Sequence, residues 1–573
     1  MAAGAKTPLK MCYDIQGPFQ SGKAQNMKLS PFVKNILLLL LLCLAGGAFS
    51  LAGGQDVSWD LLNYHLYTPF AFLNGRWGTD VIPAGIHTFF NPLLDIPYYL
   101  MVVYLNNWPK LTAFLQGIPY GIFCFAGYKT CRLILDEKTG KMPALIAALI
   151  GLTGSMALSQ AGFSSNEVTL SALVVLSVYG IFRFFFRPNP TGKMLFFSAF
   201  LAGAAAGLKY TAAPFTLGLT AVFLFNVSKT EKPVKNFFLF ALGGLTGFLL
   251  TDGWFAWHLW KEYKNPVFPF FNQLFRSPFF ESVNFDETRF YPRSLLQWLF
   301  YPFFWIFPST AATEIETADP RLALGYISFF ILAARLAFHR TMKAKRIWFS
   351  VLLFTSISYL LWLYFYSTLR YAVPLELFSG ILLAGALRSW LSYKHTAVAG
   401  TVLAVLIWPL TDAPNWGKDT FAAQTIAVSG LPEVENNALV VYFGAPMSFL
   451  SPFFTEGTKF VGGITFPVDK YPPEHQKRAR QRNPLPPAYY RYKFKDEILR
   501  AIISHDGPIY IVAVPWPMML DPITLAPYGL KADEKDCRFV NTNINLYSRG
   551  WNVCKVQKLE TPPPQQTSHS AAN

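Results

Sequence analysis

An acidic residue, a tyrosine and a histidine lie close together just after the first long apolar run of the chain. A helix through this segment would stack Asp60 against Asn63 at i+3 and Tyr64 at i+4, with His65 beside them. A partly desolvated carboxylate within hydrogen-bond reach of a hydroxyl can act as a general base. Alternatively, Asp56 or Asp60 caps the start of this helix. Spacing alone leaves both interpretations open.

The composition places most of the chain in a membrane. Of 573 residues, 52% are hydrophobic and 14% are charged, against about 25% charged in an ordinary soluble domain. The net charge of +16 comes mainly from the part before residue 411, which has 32 basic and 18 acidic residues, against 17 and 15 after it. The basic residues cluster in short loops between apolar runs, as is typical of membrane orientation. The composition excludes a purely soluble enzyme, and we expect no nucleic-acid partner.

Eleven apolar windows are interpreted as membrane spans. They lie near residues 32–52, 109–128, 143–160, 166–186, 194–208, 210–226, 236–258, 322–339, 347–366, 371–388 and 396–411. Loops rich in Lys and Arg alternate with loops poor in them, so the positive-inside rule puts the N-terminal segment 1–31 in the cytoplasm. The membrane domain is then 32–410, with outer loops at 53–108 and 259–321. An odd number of crossings puts residues 411–573 outside.

The sequence changes character after residue 410, where it becomes rich in proline and charged residues. The apolar runs 438–443 and 508–514 predict buried strands, and 411–573 is interpreted as an α/β domain. Cys537 and Cys554 are the only cysteines assigned to the outer side, where an oxidising compartment would let them pair. Two free buried thiols are the alternative.

Several motifs of the membrane part resemble those of the polyprenyl-phosphate-dependent glycosyltransferases of the type C fold (GT-C). In that family the first span precedes an outer loop with an essential acidic residue four positions before a tyrosine, and Asp60 and Tyr64 match this spacing. Glu167 stands in the second outer loop, where members often have another acidic residue. Many members have an Asp-Glu pair where this chain has Asp60-Leu61, so no role is carried over for a neighbouring Glu. Further similar motifs are Ala202–Tyr210 (AGAAAGLKY), Asn265–Phe270 (NPVFPF) and Arg370–Tyr371 with Pro374.

The resemblance implies a GT-C-like, α-helical polytopic membrane protein of about 11 spans with a C-terminal extracytoplasmic α/β domain. It implies Asp60 as the catalytic base and Glu167 as a second catalytic carboxylate. In this family a sugar passes from a lipid phosphate to an acceptor, typically with inversion, and the charge that develops on the leaving phosphate calls for nearby cations. Lys209 and Arg370 are placed for this role, and Arg321 is a third candidate. Each cation also fits as an interfacial anchor.

The remaining candidates concern substrate and metal binding. The candidates for substrate binding are Asp56, Tyr64, His65, His258 and Tyr371. His258 lies in an aromatic-rich segment that fits a membrane belt equally well. Asp60, Glu314 and Glu316 are candidate ligands of a divalent cation, although a solvated loop also accounts for the two glutamates. The cofactor is otherwise unknown.

The sequence therefore predicts a glycosyltransferase of the bacterial inner (plasma) membrane that works on its periplasmic face. The expected donor is a polyprenyl-phosphate-linked sugar in the lipid bilayer, and the expected acceptor is an unidentified glycan, lipid or protein of the envelope. Two alternatives are a secondary transporter and a non-catalytic assembly protein of envelope polysaccharide synthesis. The sequence shows no internal repeat of the kind typical of transporters.

Overall fold

The structure of the protein is a computed structural model that describes residues 30–135, 141–285, 287–338, 345–464, 493–515, 520, 522–544 and 550–560. Most of the predicted cytoplasmic segment 1–31 lies outside these residues. Up to residue 411 the described chain is mostly helical. Its α-helices are α1 (Pro31–Gly53), α2 (Tyr67–Leu73), α3 (Ile96–Leu105), α4 (Pro109–Ile134), α5 (Met142–Leu152), α6 (Ser155–Ser159), α7 (Glu167–Phe186), α8 (Gly192–Leu208), α9 (Ala213–Val227), α10 (Pro233–Phe248), α11 (Trp254–Tyr263), α12 (Asn272–Phe275), α13 (Leu295–Phe300), α14 (Arg321–Phe338), α15 (Lys345–Phe365), α16 (Val373–Trp390) and α17 (Tyr393–Ile407).

Six helical segments among the described residues are long and apolar enough to cross a membrane, judged by length and composition. They are Pro31–Gly53, Glu167–Phe186, Tyr210–Val227, Pro233–Tyr263, Arg321–Phe338 and Lys345–Phe365. The prediction of a helical membrane protein is confirmed at this level. The other predicted spans coincide with helices that are shorter or less apolar, such as α5 with 11 residues and α8 with 17.

Close packing in the helical part depends on small residues, as in α1 and α4. Only Gly46, Gly47 and Ser50 of α1 are buried. A Cβ on Gly46 would lie 2.5 Å from the carbonyl oxygen of Gly117 in α4, so only glycine permits this approach. Helices in membranes commonly associate in this way, because lipid supplies no hydrophobic force between them.

The predicted span 143–160 is wrong as a single helix, because α5 ends at Leu152 and α6 begins at Ser155. Two buried carboxylates stabilise the break. Asp319 accepts a hydrogen bond from the Ser155 amide at 2.8 Å, and Glu376 accepts two at 2.9 Å from the amides that follow. The first amides of a helix lack partners within it and attract negative charge, so the two side chains satisfy the start of α6.

The C-terminal part forms a β-rich domain around a six-stranded sheet. Its strands are β3 (Val428–Ser429), β4 (Leu439–Phe443), β5 (Lys459–Ile464), β6 (Ile509–Ala513), β7 (Leu530–Thr542) and β8 (Trp551–Lys558), in the order β3-β7-β8-β6-β4-β5. The two predicted buried strands are β4 and β6, which pair in parallel. The predicted disulfide is confirmed between Cys537 and Cys554, which face each other across β7 and β8. The helix α18 (Lys493–Ile503) packs on one face of the sheet.

The segment 53–108, which we call the first outer segment after its predicted side of the membrane, packs on both faces of this sheet. Alternate residues of a strand point to opposite faces. In β4, Val441 and Phe443 pack with Ile82, Ile86 and Phe89 on one face. Val440 and Tyr442 pack on the other face, in a cluster that contains Leu61, Leu62 and Leu66. The short strands β1 (Gln55–Asp56) and β2 (Lys418–Asp419) also pair.

A partly buried ion pair strengthens this docking. Arg76 donates through Nε and Nη2 to the two carboxylate oxygens of Asp80, both at 2.7 Å. It also donates to the carbonyl oxygen of Thr458 at 2.5 Å, and Asp80 accepts a hydrogen bond from the Phe460 amide at 3.0 Å. Tyr67 donates to the same carboxylate at 2.9 Å. The pair therefore joins the first outer segment to β5.

We predict that Asp80→Asn lowers the free energy of unfolding by about 3 kcal/mol, because it leaves Arg76 partly buried without its counter-charge. The matched control is Glu287→Gln, which breaks an exposed pair with Arg289 and should cost less than about 1 kcal/mol. Denaturation in detergent micelles, followed by protease sensitivity of the C-terminal domain, measures both. Equal effects of the two variants would show that the Arg76–Asp80 pair does not anchor the domain.

Candidate active site

Five of the side chains singled out in the sequence meet where four segments of the helical part end or begin. Asp60 follows α1 and lies just before a π-helical turn, and Glu167 is the first residue of α7. Lys209 directly follows α8. Arg370 and Tyr371 form a 3-10 turn before α16. The fold therefore brings together residues that are up to 311 positions apart.

An ion pair between Asp60 and Arg370 is at the centre of this site. Arg370 donates through Nη1 to Asp60 Oδ2 at 3.1 Å and through Nη2 to the Tyr371 hydroxyl at 2.9 Å. The side chains of Asp60 and Arg370 are 16% and 21% exposed, so both can be reached from solvent. Gln160 fixes the backbone of Arg370 by donating to its carbonyl oxygen at 2.9 Å.

A second ion pair lies beside the first. Lys209 forms a hydrogen-bonded ion pair with Glu167 and donates to the carbonyl oxygen of Ser165 at 3.2 Å. Thr211 donates to the other oxygen of Glu167 at 3.4 Å, and the glutamate side chain is 4% exposed. The Tyr371 ring links the two pairs, since its centroid lies 5.8 Å from Lys209 Nζ and 5.1 Å from Arg370 Cζ.

The electrostatic environment keeps Asp60 ionised. Burial by itself would raise the pKa of Asp60, but the charge of Arg370 outweighs this effect, with smaller contributions from His65, His87 and Lys209, and holds the pKa below its usual value. Burial lowers the pKa of His87 to about 4, so its ring is neutral at physiological pH. Asp60 is therefore the anionic partner of Arg370.

The backbone around Asp60 differs from the regular helix that the spacing predicted. Residues Leu61–His65 form a π-helical turn, and such turns are frequent at functional sites. As a result Asn63 does not stack on Asp60 but contacts Nδ1 of His87 at 3.1 Å. Nδ1 of His65 lies 2.7 Å from Asp95 Oδ1, and both residues are buried. His65 is thus bound to Asp95, and its ring contacts the Tyr64 ring with 4.0 Å between centroids.

Three sequence candidates lie outside the site. Asp56 is buried, and its two oxygens accept hydrogen bonds from the amides of Ser58 and Ser164, so it links the segment after α1 to the loop before α7. Arg321 is buried and donates to Asp319, Thr411, Thr153 and the carbonyl oxygen of Ile150. Its guanidinium is therefore occupied by the protein and has no face left for a phosphate. His258 stacks on Trp77, with 4.2 Å between ring centroids, in a separate aromatic cluster.

The proposed metal ligands do not form a cation site in the described part of the chain. Glu314 Oε1 lies 3.8 Å from Arg370 Nε, on the opposite side of the guanidinium from Asp60. A cation held jointly by Asp60 and Glu314 would be repelled by the arginine between them. Glu316 is exposed. No group of three or more His, Cys, Asp or Glu side chains suited to a metal occurs among the described residues.

Sequence reasoning missed a supporting set of polar residues. Asn166 donates to Asp95 at 2.9 Å, and Asp95 in turn holds His65. The Tyr64 ring stacks on His87, with 4.9 Å between centroids. Asp95 interrupts an otherwise apolar stretch, which is a signal that the sequence did contain. His87 and Asn166 carry no such signal, because their partners come from distant loops.

Comparison with known proteins identifies no function. No family profile matches the chain. An uncharacterized protein of Aquifex aeolicus (strain VF5) is 26% identical over an alignment of 231 residues, and the match covers 36% of this chain and 45% of that protein. The chain therefore matches less than half the length of this relative.

We predict that Glu167 and Lys209 are energetically coupled. In a double-mutant cycle of Glu167→Gln and Lys209→Met, the coupling in the free energy of unfolding should be about 2 kcal/mol, since the glutamate is buried and each single change leaves a partner uncompensated. The control cycle uses the exposed pair of Glu435 and Lys555, which should give less than about 1 kcal/mol. Additive effects at Glu167 and Lys209 would contradict the pairing.

Proposed function

We propose that the protein is a glycosyltransferase that moves a sugar from a polyprenyl-phosphate donor to an envelope acceptor on the outer face of a bacterial inner membrane. One observation carries the proposal. The two carboxylates that the resemblance marks, Asp60 and Glu167, lie in one partly exposed cluster with the two cations expected to bind the donor phosphate, Lys209 and Arg370. Such charges are costly at a membrane edge and are retained there mainly for function.

The cluster supplies the groups that an inverting transfer requires. The hydroxyl oxygen of the acceptor attacks the anomeric carbon, and the bond from that carbon to the phosphate oxygen breaks. The phosphate leaves with the bonding electron pair and is stabilised by Arg370 and Lys209. Asp60 Oδ1 accepts the hydroxyl proton. This oxygen accepts no hydrogen bond from the described residues, whereas Oδ2 is bound by Arg370.

The proposed orientation follows from the ends of the helices. α1 and α8 end beside the cluster, and α7 and α16 begin there. Eleven alternating crossings with the N-terminus inside would put these four ends on the outer side. The positive-inside rule favours the same orientation, because loops such as that between α9 and α10 are rich in lysine. The β-rich domain, which covers the first outer segment, would then be periplasmic.

The break between α5 and α6 is the observation that favours transport, since transporters bind substrates at the ends of broken helices. In this chain, however, the amides at the start of α6 are already bound by Asp319 and Glu376. Arg321 neutralises Asp319 at 3.0 Å. The break is therefore filled by the protein's own groups, and the partly exposed charges lie at the loops.

We predict that Asp60→Asn lowers sugar transfer by at least about two orders of magnitude, because the amide cannot accept the hydroxyl proton. Mass spectrometry of envelope lipids and glycans should show the same loss in cells with Asp60→Asn as in cells without the protein. The control is Glu287→Gln, which removes an exposed carboxylate and should restore the wild-type profile. A wild-type profile from an Asp60→Asn strain with normal protein levels would refute the role of Asp60.

We also predict that Glu231 and Glu456 lie on opposite sides of the membrane. Cysteines placed at these two exposed positions, in a Cys12→Ser background, can be tested with a thiol reagent that does not cross membranes. In spheroplasts, the cysteine at 456 should react and the cysteine at 231 should react only after lysis. The reverse result would place the cluster on the cytoplasmic side and would exclude the proposed orientation.

A further inference from the structure

We propose that Arg370 holds Asp60 until the phosphate of the donor enters, and that the phosphate then takes the place of the carboxylate on Arg370 and releases Asp60 to the acceptor. This inference rests on the proposed function. It assigns a binding order to the site, in which the anionic phosphate ester binds first and the hydroxyl acceptor second. Asp60 would thus be available as a base only when a donor is in place.

The balance of charges in the site requires such an exchange. Arg370 contacts two carboxylates, Asp60 at 3.1 Å and Glu314 at 3.8 Å, and Lys209 is paired with Glu167. Two cations therefore face three carboxylates. A phosphate entering this net negative site is repelled unless a carboxylate gives up its cation. Exchange keeps Arg370 paired with an anion throughout.

The geometry selects Asp60 as the carboxylate that yields. Glu167 is almost fully buried and is bound by Thr211 as well as by Lys209. Asp60, by contrast, accepts one hydrogen bond from the described residues, and this bond is long for a charged pair. The Asp60 side chain is also partly exposed. Arg370 Nε has no hydrogen-bond partner within reach, since Glu314 is 3.8 Å away. Nε lies on the far side of the guanidinium from Nη1, so a phosphate that takes the place of Asp60 binds Nη1 and the adjacent Nη2. The N–H groups of these two nitrogens share one edge of the planar guanidinium, which suits two parallel hydrogen bonds.

Release also changes the basicity of Asp60. Its pKa is held low chiefly by the charge of Arg370 acting against burial. When the phosphate neutralises that charge, burial is no longer opposed and the affinity of Asp60 for a proton rises. A stronger base at the moment when both substrates are present favours proton abstraction. Without the donor, Asp60 is a weak base and is partly blocked.

The test is the affinity of the purified full-length protein in detergent for farnesyl phosphate and for inorganic phosphate, measured by isothermal titration calorimetry. Removing the competing carboxylate in Asp60→Asn should tighten binding of both probes about tenfold, which is the effect of losing one charge-assisted hydrogen bond. Glu314→Gln should tighten it by about threefold, because this contact is longer than a hydrogen bond. Arg370→Gln should abolish the gain when combined with Asp60→Asn.

The matched control is Glu287→Gln, which removes the same unit of negative charge from an exposed pair near the site and should change the affinity less than about twofold. Equal tightening in Asp60→Asn and Glu287→Gln, unchanged or weaker binding in Asp60→Asn, or no binding of either probe would each overturn the exchange.

If Asp60→Asn loses transfer without tighter binding, the exchange fails and the proposed function stands. If Asp60→Asn retains transfer, the proposed function itself fails. Tighter farnesyl phosphate than inorganic phosphate would identify the lipid ester as the ligand.

Discussion

The need to pair every charge that is taken out of water organises this protein. A lone charge at the edge of a membrane or inside a helical bundle is costly, so it persists only with a partner in place. The partners are distant in sequence: Arg370 reaches Asp60, Lys209 reaches Glu167, and Glu376 reaches the start of α6. Each contact fixes two segments against each other, and together these contacts determine where the loops of the candidate site lie.

The buried charges and the candidate site form one continuous structure. Asp319 and Glu376 hold the start of α6, and Gln160, which follows that helix, donates to the backbone of Arg370. The first outer segment holds Asp60 and is itself packed on both faces of the six-stranded sheet. The β-rich domain therefore braces the loop that presents the carboxylate, and its docking is part of the architecture of the site.

The pairing of the cations would make the site selective among ligands, because a ligand can bind Arg370 only by competing with a carboxylate of the protein. Under the proposed function, a phosphate must compete with the protein's own carboxylate, so a neutral sugar alone would gain nothing from Arg370. The same competition would protect the site from being filled by weaker anions. The cost is a lower affinity for the donor, which the lipid tail would offset by concentrating the donor in the bilayer.

The sequence by itself determined the class of fold and much of the site. Long apolar runs require helices in lipid, and the runs 438–443 and 508–514 are two adjacent, parallel strands of the sheet. Asp60 and Glu167 stood out through the family resemblance, and Lys209 and Arg370 stood out because a charge at a membrane edge is costly. Tertiary structure alone decided which charges meet. It paired Asp60 with Arg370, and it buried Arg321 and Asp56 in hydrogen bonds with other parts of the chain. It formed a π-helical turn at Leu61–His65. It also broke the predicted span 143–160, where two carboxylates from elsewhere in the chain accept hydrogen bonds from the backbone amides. Local sequence cannot determine these outcomes, because a hydrogen bond or ion pair depends on atoms that only folding brings within about 3 Å.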